Sequence, residues 1–302
     1  MLHFHRVCLQ DRDWMNHLIR KENSRSTDHC FSNIYMWDKS YLQEVTEAAG
    51  CLCIRLNYQE SPFYAFPVGS GDRRAAIRLL QEDAAALGLP LRIRGICRTD
   101  LDWLAAEFQD AYTLTEDRFV YDYVYLAEKL ASLSGKKLQQ KRNHIHRFEE
   151  HCPDWTFQSI TAQNLSACRE FQRSWLELHL ADSDEQGELL SEDLAIRRCF
   201  DHWDTLGLEG GILSAGGRMI AFTVGEQLNS DTYDVHFEKA LPDIQGAYPM
   251  INREFVRSIT AQHPEVIYIN REDDMGRENL RRAKLSYAPE MMIEKYTAQW
   301  KQ

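Results

Sequence analysis

The order in which strand-like and helix-like runs recur is what most limits the fold of this chain. CLCIRL (51–56) and FYAFPV (63–68) read as strands. Asp72 to Gly88 follows, with Leu79, Leu80, Ala84 and Leu87 spaced for one helical face. LRIRGIC (91–97) is a strand, Leu101 to Phe108 a helix, and FVYDYVYL (119–126) a strand alternating aromatic and polar positions. The second half repeats the order without repeating the residues. GGILSAGGRMIAFTVGEQL (210–228) reads as a hairpin turning at Gly216-Gly217, and TYDVHFE (232–238) as a strand. A helix is expected from Tyr248 to Ile259 with Pro249 in its first turn, then strand EVIYI, a helix from Met275 to Lys284, and a closing strand MMIEKY (291–296). Two related α/β domains follow, each a mixed, mostly antiparallel sheet flanked by helices (α+β). The expected division is 1–127 and 128–302.

Composition narrows the class. The 302 residues are 44% hydrophobic and 27% charged, as in a globular protein, and no apolar run approaches the ~20 residues that span a bilayer. The opening residues lack a signal-peptide pattern, so a cytoplasmic location is expected. The eight cysteines are scattered without a CxxC pair, as expected of free thiols; Cys51 and Cys53 share a strand face, either as a metal or redox pair or as small buried hydrophobes. A net charge of −11 argues against bulk nucleic-acid or anionic-membrane binding. The exception is SGKKLQQKRNHIHRF (134–148), which holds Lys136, Lys137, Lys141, Arg142 and Arg147 and no acid. It reads as a solvated amphipathic helix or as a clamp for phosphates.

Three further stretches could carry chemistry. Period-two alternation puts Asp234, His236 and Glu238 on one face, either as a solvated outer face or as a site with His236 or Glu238 as general base. A straight strand spreads the three over ~13 Å, too far to share one ion, so no metal is expected. Lys239 follows, and then Gly246 opens a helix, as a plain turn or as a phosphate cradle. Finally, Asn270, Arg271, Glu272, Asp273 and Asp274 follow a strand, where ligand sites of α/β sheets collect. The acids there are helix caps, or they orient a cationic amine acceptor. One cleft between the domains, lined by Lys136 to Arg147, Asp234 to Lys239 and Asn270 to Asp274, is the expected site.

SGKKLQQKRNHIHRF, DVHFEKA, Phe31-Ser-Asn-Ile-Tyr-Met-Trp37 and above all YINREDDMGRENLRRAKLSYAPE resemble a bacterial family related to the C-terminal domain of phosphatidylglycerol lysyltransferase. The resemblance spans nearly the whole chain. It implies two tandem GNAT-type N-acyltransferase folds, and kinship with Fem peptidyltransferases that use aminoacyl-tRNA. It further implies an acyl- or aminoacyl-transferase, with acyl-CoA or aminoacyl-tRNA as donor and an amine or hydroxyl acceptor on a small molecule or lipid head group. A local contact with tRNA fits that reading. A non-catalytic module of the same fold that binds a phosphorylated ligand is the alternative.

Overall fold

The computed structural model of the protein describes residues 2–58, 61–180 and 186–301. Among these, fourteen strands form two seven-stranded sheets. The first holds β1 (His5–Arg6), β2 (Gln43–Ala48), β3 (Cys51–Tyr58), β4 (Ser61–Ala65), β5 (Arg92–Cys97) and β6 (Tyr112–Glu116). The second holds β7 (Asp122–Leu126), β8 (Thr156–Ser159), β9 (Glu209–Ala215), β10 (Arg218–Gln227), β11 (Thr232–Ala240), β12 (Tyr268–Asn270) and β13 (Met291–Ile293). The last strand, β14 (Lys295–Trp300), returns to the first sheet. The orders are β1-β2-β3-β4-β5-β14-β6 and β13-β7-β12-β11-β10-β9-β8.

The two orders correspond strand for strand. Antiparallel hairpins lead in each sheet to one parallel pair, β4/β5 and β11/β12. Each parallel pair needs a crossover, supplied by the helices Arg73–Ala86 and Ala247–Gln262. The mixed, mostly antiparallel, helix-flanked architecture expected from the periodicity is present.

The division of the chain differs from the expected one. One compact unit comprises Met1–Asp122, Asp273–Gly276 and Met292–Gln302; the other comprises Tyr123–Glu272 and Arg277–Met291. The last strand of each half is thus given to the other half's sheet, and the single closing strand read from MMIEKY is two strands in two sheets. In the first unit, Tyr296, Ala298 and Trp300 of β14 enter the core with Ile93, Ile96, Leu80 and Ala84. Lys295 opens that strand fully buried, its Nζ 2.8 Å from Asp122 and 3.1 Å from Asp28. Cys51 and Cys53 pack in the same core, and burial pushes the Cys53 thiol up to about 12. They are buried hydrophobes.

In the second unit, residue parity along β10 decides what each face meets. Phe222 packs on Phe171 and Phe200 of the helices Leu165–Leu180 and Gln186–Asp201. The opposite face, through Tyr233, meets Phe255 of the helix Ala247–Gln262. That helix buries Met250, Ile251, Phe255, Val256 and Ile259 at helical spacing. The helix expected from Met275 starts instead at Glu278, because Met275 and Gly276 are left-handed, at φ 51° and 76°. Asp273 and Asp274 accept from the backbone N–H of Met275 and Gly276 in that turn, so they shape a loop rather than a helical first turn. No described helix is long and apolar enough to cross a membrane.

Candidate functional site

The site is organised by one extra residue. Val224 of β10 faces Phe237 of β11, yet Gly225 faces Val235, so His236 is a bulge. Gly225 permits the close approach, since a Cβ there would lie 2.1 Å from the Asp234 carbonyl oxygen and 2.6 Å from the Tyr233 ring. The bulge resets the alternation. Asp234 opposes Glu226 on one face, and Glu238 opposes Thr223 on the other. The expectation that Asp234, His236 and Glu238 share a face is therefore corrected. Pairing of β11 with β12 also stops at this level, at Asp234–Asn270, while β11 continues to Ala240. The residues that follow β12 reach back to β11 on both faces of this fork.

On one face lies His236, with Nδ1 3.0 Å from Glu272 and Nε2 3.0 Å from Glu226. Asp234, fully buried, is 3.4 Å from Nδ1. A ring between acceptors satisfies both only as a double donor, which leaves no lone pair to take a substrate proton. Asp234, His236 and Glu272 also bring one potential ligand atom each to within 4.8 Å of one another. The objection to a shared cation assumed Glu238 as the third ligand. Glu272 stands there in place of Glu238, but a ring that donates from both nitrogens has no lone pair for a cation.

On the other face, Arg271 donates from Nη2 to Glu238 Oε1 at 3.0 Å, and Asn252 Nδ2 donates to Glu238 Oε2 at 3.0 Å. The guanidinium lies 4.8 Å from the centre of the Tyr287 ring and 5.8 Å from that of Tyr125. Burial alone would lower the Arg271 pKa, but Glu238 outweighs it and the group is pushed up. Lys141 reaches the same place from the basic helix Gln139–His151, its Nζ 3.9 Å from the Tyr287 ring centre. Burial, and then the Arg271 charge, push the Lys141 pKa down to about 8 against the pull of Glu238. A lysine that changes charge near neutrality suits proton handling or oxyanion contact.

The remaining expected residues separate. Lys239 lies on the His236 face, buried, 2.6 Å from Glu192 and 4.1 Å from the Trp175 ring centre. Asn270 is buried, and its Oδ1 accepts from the Glu272 N–H at 2.7 Å, aiming that residue. Arg142 donates to the carbonyls of Leu133 and Gly135 and to Gln139, so it braces its own loop. Lys136, Lys137 and Arg147 are exposed. Gly246 sits tight against the basic helix. A Cβ there would lie 2.4 Å from the His144 carbonyl and 2.9 Å from Phe148, so the basic helix packs closely on that helix N-terminus. Of its first residues, Ala247 donates its N–H to the Ile244 carbonyl, Met250 to that of Gly246, and Pro249 has no N–H to offer. The basic helix, β11 and Asn270 to Glu272 all belong to the second unit, while Asp273 and Asp274 belong to the first.

Asn252, Tyr125 and Glu226 were not among the expected site residues, and Tyr287 was seen only as part of the C-terminal motif. Asn252 had left a sign, as a polar residue in the inward stripe with Phe255, Val256 and Ile259.

The corresponding strand orders, with one parallel pair in each sheet, define two related α/β domains in tandem. Residues 20–299 match the family described as phosphatidylglycerol lysyltransferase, C-terminal, and the chain belongs to that family. A conserved protein of unknown function from Bacteroides thetaiotaomicron is 38% identical, with a TM-score of 0.93 and both chains covered completely. L-PGS from Bacillus licheniformis aligns with a TM-score of 0.67 at 14% identity, over 97% of this chain and 92% of that one. FemX aligns with a TM-score of 0.58 at 8% identity, over 98% and 97%. At such identities the last two speak for the fold alone. In sequence, an uncharacterized protein of Mycoplasmoides gallisepticum is 25% identical over 198 residues, 65% of this chain; the match spans 61% of that relative.

Proposed function

We propose that the second unit transfers an aminoacyl group from aminoacyl-tRNA to an amine or hydroxyl acceptor, on a lipid head group or a small molecule. The acceptor's nitrogen or oxygen attacks the ester carbonyl carbon, the bond to the ribose oxygen breaks, and the acceptor's proton passes to that oxygen. The observation that carries this reading is the fork between β11 and β12, where Lys141, Arg271 and Glu238 meet on one face. There the Lys141 ammonium donates to the carbonyl oxygen as negative charge develops on it. Glu238, with one oxygen on Arg271 and the other on Asn252, positions these groups rather than acting as the base. Glu272 holds His236 in the same way on the far side of the strand.

Two features favour aminoacyl-tRNA over acyl-CoA. The basic helix packs closely on the N-terminus of the Ala247–Gln262 helix at Gly246, which crowds the place a pyrophosphate would take there. Lys136, Lys137 and Arg147 are meanwhile exposed on one acid-free segment, as a phosphate backbone would require. The expected result is thermal stabilisation by aminoacyl-tRNA, about 2.7 kcal/mol at a hundredfold excess over Kd, with no comparable shift from acyl-CoA. Stabilisation by acyl-CoA alone would overturn the choice of donor. Stabilisation by uncharged and charged tRNA alike, with no transfer, would favour the binding-module reading.

A further inference from the structure

We propose that Asn252 reads the α-amino group of the incoming donor, so that the site selects an aminoacyl group over a simple acyl group. This rests on the aminoacyl-transfer reading of the same site. Asn252 is 1% exposed, on the inward face of the helix Ala247–Gln262. Its orientation is fixed by chemistry, because the end that meets the Glu238 carboxylate at 3.0 Å must be the NH₂. The other end is therefore an acceptor oxygen. That Oδ1 is buried and has no hydrogen-bond partner in the protein. Buried polar atoms are nearly always satisfied, so this oxygen has room for a hydrogen-bond donor from outside the protein, a water or a ligand.

The ligand's chemistry follows from what borders Glu238. Asn252 Oδ1 calls for a donor. Lys141, whose ammonium lies over the Tyr287 ring beside Glu238, calls for an acceptor. An α-aminoacyl ester presents both within a few bonds: a carbonyl oxygen and, on the adjacent carbon, an amine. A simple acyl group presents the carbonyl alone and leaves Oδ1 unsatisfied. Sites built around a buried hydrogen-bonding group reject the analogue that lacks the matching group more strongly than apolar pockets reject a methylene.

The test uses a non-hydrolysable mimic of the charged tRNA end, 3′-amino-3′-deoxyadenosine acylated with alanine, and its desamino counterpart acylated with propionate. Isothermal titration into the wild-type protein is expected to show the alanyl compound binding on the order of tenfold or more tightly. In a folded Asn252→Leu variant the difference is expected to collapse to less than about twofold. The wild-type comparison stands on its own should that variant fail to fold. Equal binding of both mimics to the wild type, with aminoacyl-tRNA still engaged, would overturn the Asn252 assignment and leave the transfer reading intact. An alanyl preference that persists unchanged in Asn252→Leu would also overturn it. Failure of both mimics and of aminoacyl-tRNA to bind would overturn the two together.

Discussion

Replacing Lys141 with Met is expected to lower aminoacyl transfer by about two to three orders of magnitude, the usual loss when one oxyanion donor is removed. The fall should lie mainly in kcat, because the contact strengthens as charge develops on the carbonyl oxygen. The wild-type rate should also fall as pH rises through about 8, where the Lys141 ammonium loses its proton. That limb should vanish in the variant. Stability should move the other way. The folded Lys141 pKa, about 8, lies below its ordinary value of 10.5, so the folded state binds fewer protons between these limits. Stability therefore rises with pH from about 8 to 10.5, and the cost of holding the charge is fully present below about 8. Lys141→Met should be more stable than wild type at pH 7, on the order of 1 kcal/mol once partial exposure is allowed for. Denaturant titrations at pH 7 and 10 check the sign. A variant that loses activity and stability together would show a packing role instead.

The second large effect concerns the exchanged strand. Lys295→Ala should destabilise the first unit by about 3–5 kcal/mol, because it strands Asp122 in the core. Asp122 also accepts from the Thr27 N–H at 3.0 Å and the Thr27 hydroxyl at 3.1 Å, so the loss reaches the N-terminal segment. Burial alone would lower the Lys295 pKa; Asp122 and Asp28 outweigh it and push it far up. Stability from this group is then present below its unfolded value and lost only as pH rises through the raised one, outside the working range. Lys295→Met combined with Asp122→Asn should recover much of the loss, since no uncompensated charge remains. Equilibrium unfolding in urea distinguishes the cases. A cost below about 1 kcal/mol for Lys295→Ala would mean that the strand is held by Tyr296, Ala298 and Trp300 alone.

Much of this fold was legible because its signals are local. Period-two runs gave the strands, and Gly216-Gly217 gave the hairpin with both φ values positive. The destination of β14 was not legible, since alternating Tyr296, Ala298 and Trp300 suits a core face in either sheet. Lys295 was the available sign: a lysine beginning a buried strand needs a fixed acid, and Asp122 sits at the other exchanged strand. The bulge escaped the reading because alternation assumes an unbroken register. Gly225 was its only trace. Of the strand-end burst, Arg271 and Glu272 reach the two faces of β11. The basic segment was read as a solvated amphipathic helix or a phosphate clamp, and burial divides its residues. Lys141 points inward, Arg142 braces a loop, and Lys136, Lys137 and Arg147 stay in solvent.

The most direct measurement follows label from aminoacyl-tRNA, charged with a mixture of radiolabelled amino acids, in the presence of lipid extract and small amine acceptors. Wild-type protein should move label from tRNA into the lipid or small-molecule fraction, and Lys141→Met should leave it on tRNA while still binding. Label that stays on tRNA with the wild-type protein, across all amino acids and both acceptor classes, would contradict an aminoacyl-transfer site at the β11/β12 fork.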